Sequence, residues 1–240
     1  VMRDHDFAKR LVERAKAVGC SALVLTLDLQ ILGQRHADIR NGLSIPLKIK
    51  LSNLFDLLSK PSWCYQMART KNRTFGNVMG HVKDITNLNS LTKWVQDQFD
   101  TRLNWDDVKR IKDWWGGKLI IKGIMDPDDA KMAQKCGADA LVVSNHGGRQ
   151  LDGVNSSIST LPEIKKAVSN MEVLMDGGIS SGQDILKAIA MGAEGVMIGR
   201  SFVYGLSAGG KEGVTKSLEI LNKELDMTMA LCGRRDIKDV

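Results

Sequence analysis

Short apolar runs opening at Lys118, Ala140, Glu172 and Gly195, each ending in a polar group and followed by an amphipathic stretch, constrain this chain most. A fifth run lies near the start. The segments Ser21–Asp28, Lys118–Ile124, Ala140–His146, Glu172–Gly178 and Gly195–Arg200 are almost continuously Val, Ile, Leu, Met or Ala. Runs of that length and composition predict parallel strands buried on both faces. The stretches between them carry helix punctuation. Asp126-Pro127-Asp128-Asp129 is a start signal, with acids and Pro in the first turn, and Gly137 is a stop. Ser181-Gly182-Gln183-Asp184 opens another helix, with Ile185, Ala188 and Ile189 on its inner face and Gly192 at its end. Phe7, Leu11, Ala15 and Val18 stand at helical spacing ahead of Gly19.

A repeating βα unit fits both a doubly wound open sheet and a closed barrel. The strand ends favour the barrel. They carry Asp28, Lys122, His146, Asp176 and Arg200, and (β/α)₈ enzymes gather their active sites from several strand ends at one face. No G-x-G-x-x-G follows a strand, which lowers the dinucleotide-fold alternative. The expected architecture is α/β, a (β/α)₈ TIM barrel contributing strands four to eight here, with a long insertion after strand four. The chain begins with Val1 and enters a helix almost at once, so residues 1–240 are expected to be the C-terminal portion of one barrel. The three remaining strands belong upstream.

At 240 residues, 43% apolar and 26% charged, the composition is that of a globular domain. No apolar run approaches the ~18 residues needed to cross a bilayer. Cys20, Cys64, Cys136 and Cys232 are widely spaced without a C-x-x-C pair, so they read as reduced thiols of a cytoplasmic protein, and no metal site is expected. The net charge of +6 is concentrated. Between Ser44 and Thr74 lie Lys48, Lys50, Lys60, Arg69, Lys71 and Arg73 against the single Asp56. A nucleic-acid binder spreads such charge over a folded face with stacking aromatics, so nucleic acid is not an expected partner.

Two Gly-rich turns follow late strands: Met175-Asp176-Gly177-Gly178-Ile179-Ser180-Ser181-Gly182 and Ile198-Gly199-Arg200. Such turns, next to a helix start and an Arg, suit a phosphate-bearing ligand, although tight connections alone would also account for them. The segment Ser144-Asn145-His146-Gly147-Gly148-Arg149-Gln150-Leu151-Asp152 is more telling. It sets an imidazole and a guanidinium three residues apart just past a buried strand. One can take a proton near neutral pH and the other can grip a carboxylate through paired hydrogen bonds. A lone His is more often structural; beside Arg149 and other strand-end charges, catalysis is favoured.

With the later D-G-G-I and I-G-R turns, this segment resembles the FMN-dependent 2-hydroxy acid oxidising family, which includes glycolate oxidase, bacterial lactate and mandelate dehydrogenases and the yeast flavocytochrome. Thr26-Leu27-Asp28 with Gly33-Gln34-Arg35 is similar to its fourth-strand motif, and Ile121-Lys122-Gly123 to its fifth. The resemblance implies His146 as the base, oriented by Asp28, with Arg35 and Arg149 on the substrate carboxylate and Lys122 near the flavin pyrimidine edge. It implies flavin contacts from Thr26 and Ser144. Asp176, Gly177, Gly178, Ser180, Gly199 and Arg200 fall on the ribityl and phosphate site. Ser180 stands where the family commonly has an Arg.

Roughly residues 44 to 106 form the insertion, far longer than the ~2–6 residues usual in α/β units. Leu51, Leu54, Phe55, Leu57, Leu58, Trp63, Tyr65 and Met67 sit among its basic residues. That mixture suits a segment lying on an anionic membrane, through 44–75, although a lid or a subunit contact would use the same residues. Leu91–Trp105 and Asp107–Trp115 read as helices returning to the barrel. The implied protein is an FMN-dependent L-2-hydroxy acid dehydrogenase with L-lactate the first substrate. Its electrons would pass to a membrane quinone or cytochrome, and its place would be the cytoplasmic side of the bacterial inner membrane or the cytoplasm. The resemblance also implies a homo-oligomer. The competing possibilities are a soluble oxidase producing hydrogen peroxide, a non-catalytic truncated relative, and an FMN barrel acting as an isomerase or nucleotide-type dehydrogenase.

Overall fold

The computed structural model describes residues 2–31, 33–42, 51–71, 76–78, 94–95 and 97–240. Its centre is a five-stranded parallel sheet of β1 (Ala22–Thr26), β2 (Lys118–Ile124), β3 (Ala140–Val143), β4 (Glu172–Asp176) and β5 (Gly195–Met197). The spatial order is β1-β2-β3-β4-β5 and every pair is parallel. Consecutive order is what a barrel arc requires; a doubly wound sheet would reverse order at a switch point. All five predicted strands form, each shortened by two or three residues at its C-terminal end except β2.

Helices α1 (His5–Ala17), α2 (His36–Arg40), α3 (Leu51–Leu58), α4 (Pro61–Arg69), α5 (Trp105–Trp115), α6 (Pro127–Lys135), α7 (Ser157–Ala167), α8 (Gly182–Ala190) and α9 (Arg200–Leu231) connect or flank the strands. The core lies between the sheet and α5 to α8. Leu119, Ile121, Leu141, Val143, Leu161, Ile164, Val173 and Ala188 are fully enclosed there. Burial grades outward from β3, whose four residues are all buried, to the edge strands β1 and β5. Helix α1 buries Phe7, Ala8 and Val12, while Val18 of its expected inner stripe is 78% exposed as the C-cap. The helix has turned its face toward Trp94, which meets Phe7 edge-on at 5.2 Å.

Caps explain where helices begin. Asn104 accepts from the amides of Asp106 and Asp107 while Asp107 accepts from the Asn104 amide, a reciprocal box worth about 1 kcal/mol. Asp126 caps α6 by accepting from the amides of Asp128 and Asp129, with Pro127 in the first turn as the sequence indicates. The expected Leu91–Trp105 helix is not continuous. Residues 94–95 and 97 are helical, Phe99 pairs with Met2 in an isolated antiparallel bridge, and residues 100–104 are non-helical up to the start of α5. Residues 91–93 and 96, like Lys48, Lys50 and Arg73 of the basic insertion, lie outside the described residues.

One device occurs twice at the N-terminal ends of the strands. The residue just before β3, Asp139, accepts from the Leu119 amide of β2 at 2.8 Å and from Lys112 of α5 at 2.7 Å. The residue just before β5, Glu194, accepts from the Val173 amide of β4 at 2.7 Å and from Lys165 of α7. Each carboxylate therefore ties the start of its own strand to the strand and helix of the preceding unit. Burial works against the charged form of Asp139, but the Lys112 ammonium and the Leu119 amide prevail and hold its carboxyl below the usual range.

Candidate active site

The C-terminal ends of the strands bring the predicted side chains together. Asp28 follows β1, Lys122 lies within β2, His146 and Arg149 follow β3, and Asp176 ends β4. Asp28 Oδ2 and His146 Nδ1 are 3.2 Å apart, both largely buried. A carboxylate can only accept, so the hydrogen sits on Nδ1 and the lone pair on Nε2. Lys122 Nζ lies 2.8 Å from Asp176 Oδ2 and donates to Ser144 Oγ at 2.8 Å. Ser144 is fully buried and its oxygen also accepts from the His146 amide at 3.1 Å. Acid, base and ammonium thus form one connected cluster.

Two local features fix it. His146 has φ +58, a left-handed conformation costly for a residue with a Cβ, and begins a short 3₁₀ turn over His146–Gly148. The turn is held by Asn145, whose side chain accepts from the Gly148 amide at 3.1 Å and donates to the Asn155 carbonyl at 3.0 Å. Gly123, with φ +97, marks a register shift in β2. A Cβ there would meet Asp28 Cγ at 2.8 Å, so the missing side chain is what lets Asp28 reach across β2 to His146.

A cavity of about 820 Å³ opens on this cluster, lined by Lys122, His146, Arg149, Asp176, Arg200 and, farther along, Tyr204 of α9. Gly177, Gly178, Ser180 and Gly199 also lie on its wall. A neighbouring cavity of about 1060 Å³ contains Asp28, Arg35, Asp38 and Gln150. Arg149 borders both. Arg35 therefore faces the second space, and Thr26, in register with Lys122, lines neither. The Arg149 guanidinium is 3.8 Å from Asp38 of α2.

The two late turns differ in what their helix starts offer. At α8, Asp184 accepts from the amides of Ser180 and Ser181 and from both hydroxyls, and Glu224 accepts from the Gly182 amide at 2.9 Å. Burial opposes the charge on Asp184, but these hydrogen bonds outweigh it and depress its pKa. The donors of Ser180 are thus committed to Asp184. At α9, the N-cap Gly199 makes no side-chain cap, and Arg200 opens the helix on the same cavity wall. An anion fits the α9 start better than that of α8. Sequence patterning gave no role to Gln150, Gly123, Gly33 or Asp38, because close approach and side-chain bridging leave no periodic signal.

Such a constellation, a carboxylate-backed imidazole with guanidinium groups and Gly-rich turns at the strand ends of a parallel βα sheet, is the kind of site that (β/α)₈ enzymes assemble at one face. The profile of the FMN-dependent dehydrogenase family matches residues 1–240, and the chain belongs to that family. It is 42% identical over 242 residues to an L-lactate dehydrogenase of Haemophilus influenzae, covering all of this chain and 63% of the relative. It is 43% identical to an L-lactate dehydrogenase of Allorhizobium ampelinum, covering 64% of that protein. Among solved structures, the monotopic membrane protein (S)-mandelate dehydrogenase superposes with a TM-score of 0.92 at 33% identity, over 99% of this chain and 62% of that one. A mandelate oxidase bound to (S)-2-phenylpropionate gives a TM-score of 0.73 at 33% identity, covering 99% of this chain and 58% of that one. The chain thus spans less than two thirds of these relatives.

Membership brings FMN as the family cofactor, and the residues present suit it. Asp176 Oδ1 is buried with no hydrogen-bond partner among the described residues, as expected of an acceptor awaiting a ligand hydroxyl. Lys122, Arg200 and the uncapped α9 start supply the cationic and amide donors that a flavin ring edge and a phosphate require.

Proposed function

We propose that this chain carries the catalytic strands of an FMN-dependent oxidoreductase that converts a small L-2-hydroxy acid, L-lactate first, into the 2-oxo acid. The observation that carries this reading is the Asp28–His146 pair, whose imidazole lies on the wall that also presents Lys122 and Arg149. With Nδ1 engaged by Asp28, Nε2 of His146 accepts the substrate hydroxyl proton. Asp28 then stabilises the imidazolium, the role a carboxylate plays behind a catalytic imidazole elsewhere. Arg149 and Arg35, from adjoining cavities, hold the substrate carboxylate. Asp176, Lys122 and Arg200 hold the cofactor, with Gly177, Gly178, Ser180 and Gly199 on the wall around it, while Ser144 steadies Lys122 from behind and Thr26 stands in register with Lys122 on neither cavity wall. FMN, when bound, would take up the substrate α-hydrogen with the two electrons, so that this hydrogen and the hydroxyl proton on His146 account for both hydrogens lost.

In this reading residues 1–240 are the C-terminal portion of one (β/α)₈ barrel, and further strands cover the edges of β1 and β5. Residues 44 to 106 are a lid or membrane-associating insertion. Leu51, Leu54, Phe55 and Leu58 of α3 and Trp63 and Tyr65 of α4 are exposed, beside Lys60, Arg69 and Lys71. No helix among the described residues is long and apolar enough to cross a membrane. The exposed hairpin favours a peripheral seat on the cytoplasmic face of the inner membrane, with quinone or cytochrome as acceptor, over a soluble oxidase. The deciding experiment uses the complete natural chain loaded with FMN and compares quinone-analogue reduction with peroxide formation on L-lactate and (S)-mandelate. Quinone reduction on L-lactate supports the proposal; no turnover of either acid defeats it, and dominant peroxide formation favours the oxidase.

A further inference from the structure

The catalytic groups come from two loops far apart in sequence, the one after β1 carrying Asp28 and Arg35 and the one after β3 carrying His146 and Arg149. Among the described residues, one side chain bridges them at three points. The Gln150 amide nitrogen donates to the Ile31 carbonyl at 2.8 Å and to the Asp28 carbonyl at 3.1 Å. Its oxygen accepts from Arg35 Nη2 at 3.3 Å. Beside it, Gly33 packs directly on the partner loop: a Cβ there would lie 2.6 Å from the Arg149 carbonyl oxygen and 2.8 Å from Gln150 Cα.

We infer that Gln150 is a positioning residue that clasps the Asp28–Arg35 loop to the His146–Arg149 loop. The clasp fixes the two guanidinium-bearing loops against each other, and Gly33 permits the close approach. The chemistry is consistent with that role. An amide offers both donor and acceptor, so one group satisfies two carbonyls and a cation at once. Arg35 has few other constraints, since its Nε has no partner among the described residues. Without Gln150 the guanidinium would sample many rotamers and pay ordering entropy on each binding event. The inference rests on the proposed binding of a substrate carboxylate.

The test uses the complete natural chain with FMN, in Gln150→Leu, Arg35→Met and the double variant. Two readouts do not require turnover: hydrogen exchange of peptides covering Asp28 to Arg35, and the Kd of oxalate measured by calorimetry. Gln150→Leu is expected to speed exchange in that loop at least about five-fold and to weaken oxalate about ten-fold, the loss for one hydrogen bond to a charged group. Adding Gln150→Leu to Arg35→Met is expected to cost less than about two-fold more, because one acts through the other. Unchanged loop exchange, or effects on oxalate that multiply in the double variant, overturns the inference. If Gln150→Leu does not fold, Gln150→Glu keeps an acceptor for Arg35 and loses both donors. Faster loop exchange in it supports the clasp, and unchanged exchange refutes it. Failure of the proposed activity shows separately, as a wild-type protein that binds oxalate through this clasp yet oxidises no 2-hydroxy acid.

Discussion

The Nδ1 of His146 and a carboxylate oxygen of Asp28 stand 3.2 Å apart although 118 positions separate the two residues. They follow β3 and β1, which are neighbours of β2 but not of each other, so the contact passes over the C-terminal end of the strand between them. Gly123 is the point of that strand over which it passes.

Replacing Asp28 by Asn keeps the shape and removes the charge that stabilises the imidazolium. We expect kcat to fall a hundred- to ten-thousand-fold, with flavin content unchanged by absorbance. A fall of less than about three-fold would show that His146 does not act as a base backed by Asp28.

Gly123→Ala tests the spacing. The added methyl meets Asp28 and forces a Cβ onto a backbone with φ +97, so a loss of about 1–3 kcal/mol in stability is expected. Activity should drop more than ten-fold while FMN is retained. Wild-type kcat in Gly123→Ala would mean that Asp28 can retreat without consequence.

Asp38 places a carboxylate 3.8 Å from the Arg149 guanidinium, where it competes with an incoming anion. Both groups are partly exposed, so the pair is worth at most about 1 kcal/mol. Asp38→Asn is therefore expected to lower KM for the hydroxy acid by about two- to five-fold with kcat little changed. A raised KM would show instead that Asp38 orients Arg149 for binding.

The depressed pKa of Asp184 has a defined sign. A carboxyl whose folded value lies below its unfolded one, about 3.9, contributes stability above that value and loses it as pH falls through the folded pKa. Asp184→Asn should cost stability at pH 7, and the gap from wild type should close below about pH 4. Denaturant midpoints measured across pH 3–7 check this; a gap that stays constant would assign the loss to geometry instead of charge.

Exposed Phe55 and Trp63 supply the apolar contact in the proposed membrane seat. The double change to Ser should reduce cosedimentation with anionic vesicles at least about five-fold without altering activity in detergent. Equal binding by the double variant would move the membrane contact elsewhere or remove it.

The sequence was a good guide wherever burial repeats. Runs such as Leu119–Ile121 and Leu141–Val143 announce strands because every residue in them is enclosed or nearly so. The strand-end residues His146, Lys122 and Asp176 were legible because polar groups ending such runs have one face to occupy. That Ser180 turns to Asp184, that Arg35 lies in a neighbouring cavity and that Gln150 bridges two loops were not legible. Each depends on where a loop crosses another, and a short irregular connection has no period that spacing in sequence can report.

The carboxylates of Asp139 and Glu194 carry a consequence for how such a chain assembles. Because each acid checks the alignment of its own strand against the unit before it, alignment errors need not propagate around the sheet. A β-α pair can lengthen its loops, or acquire an insertion as large as that after β1, while the next strand still finds its place by a contact it carries itself.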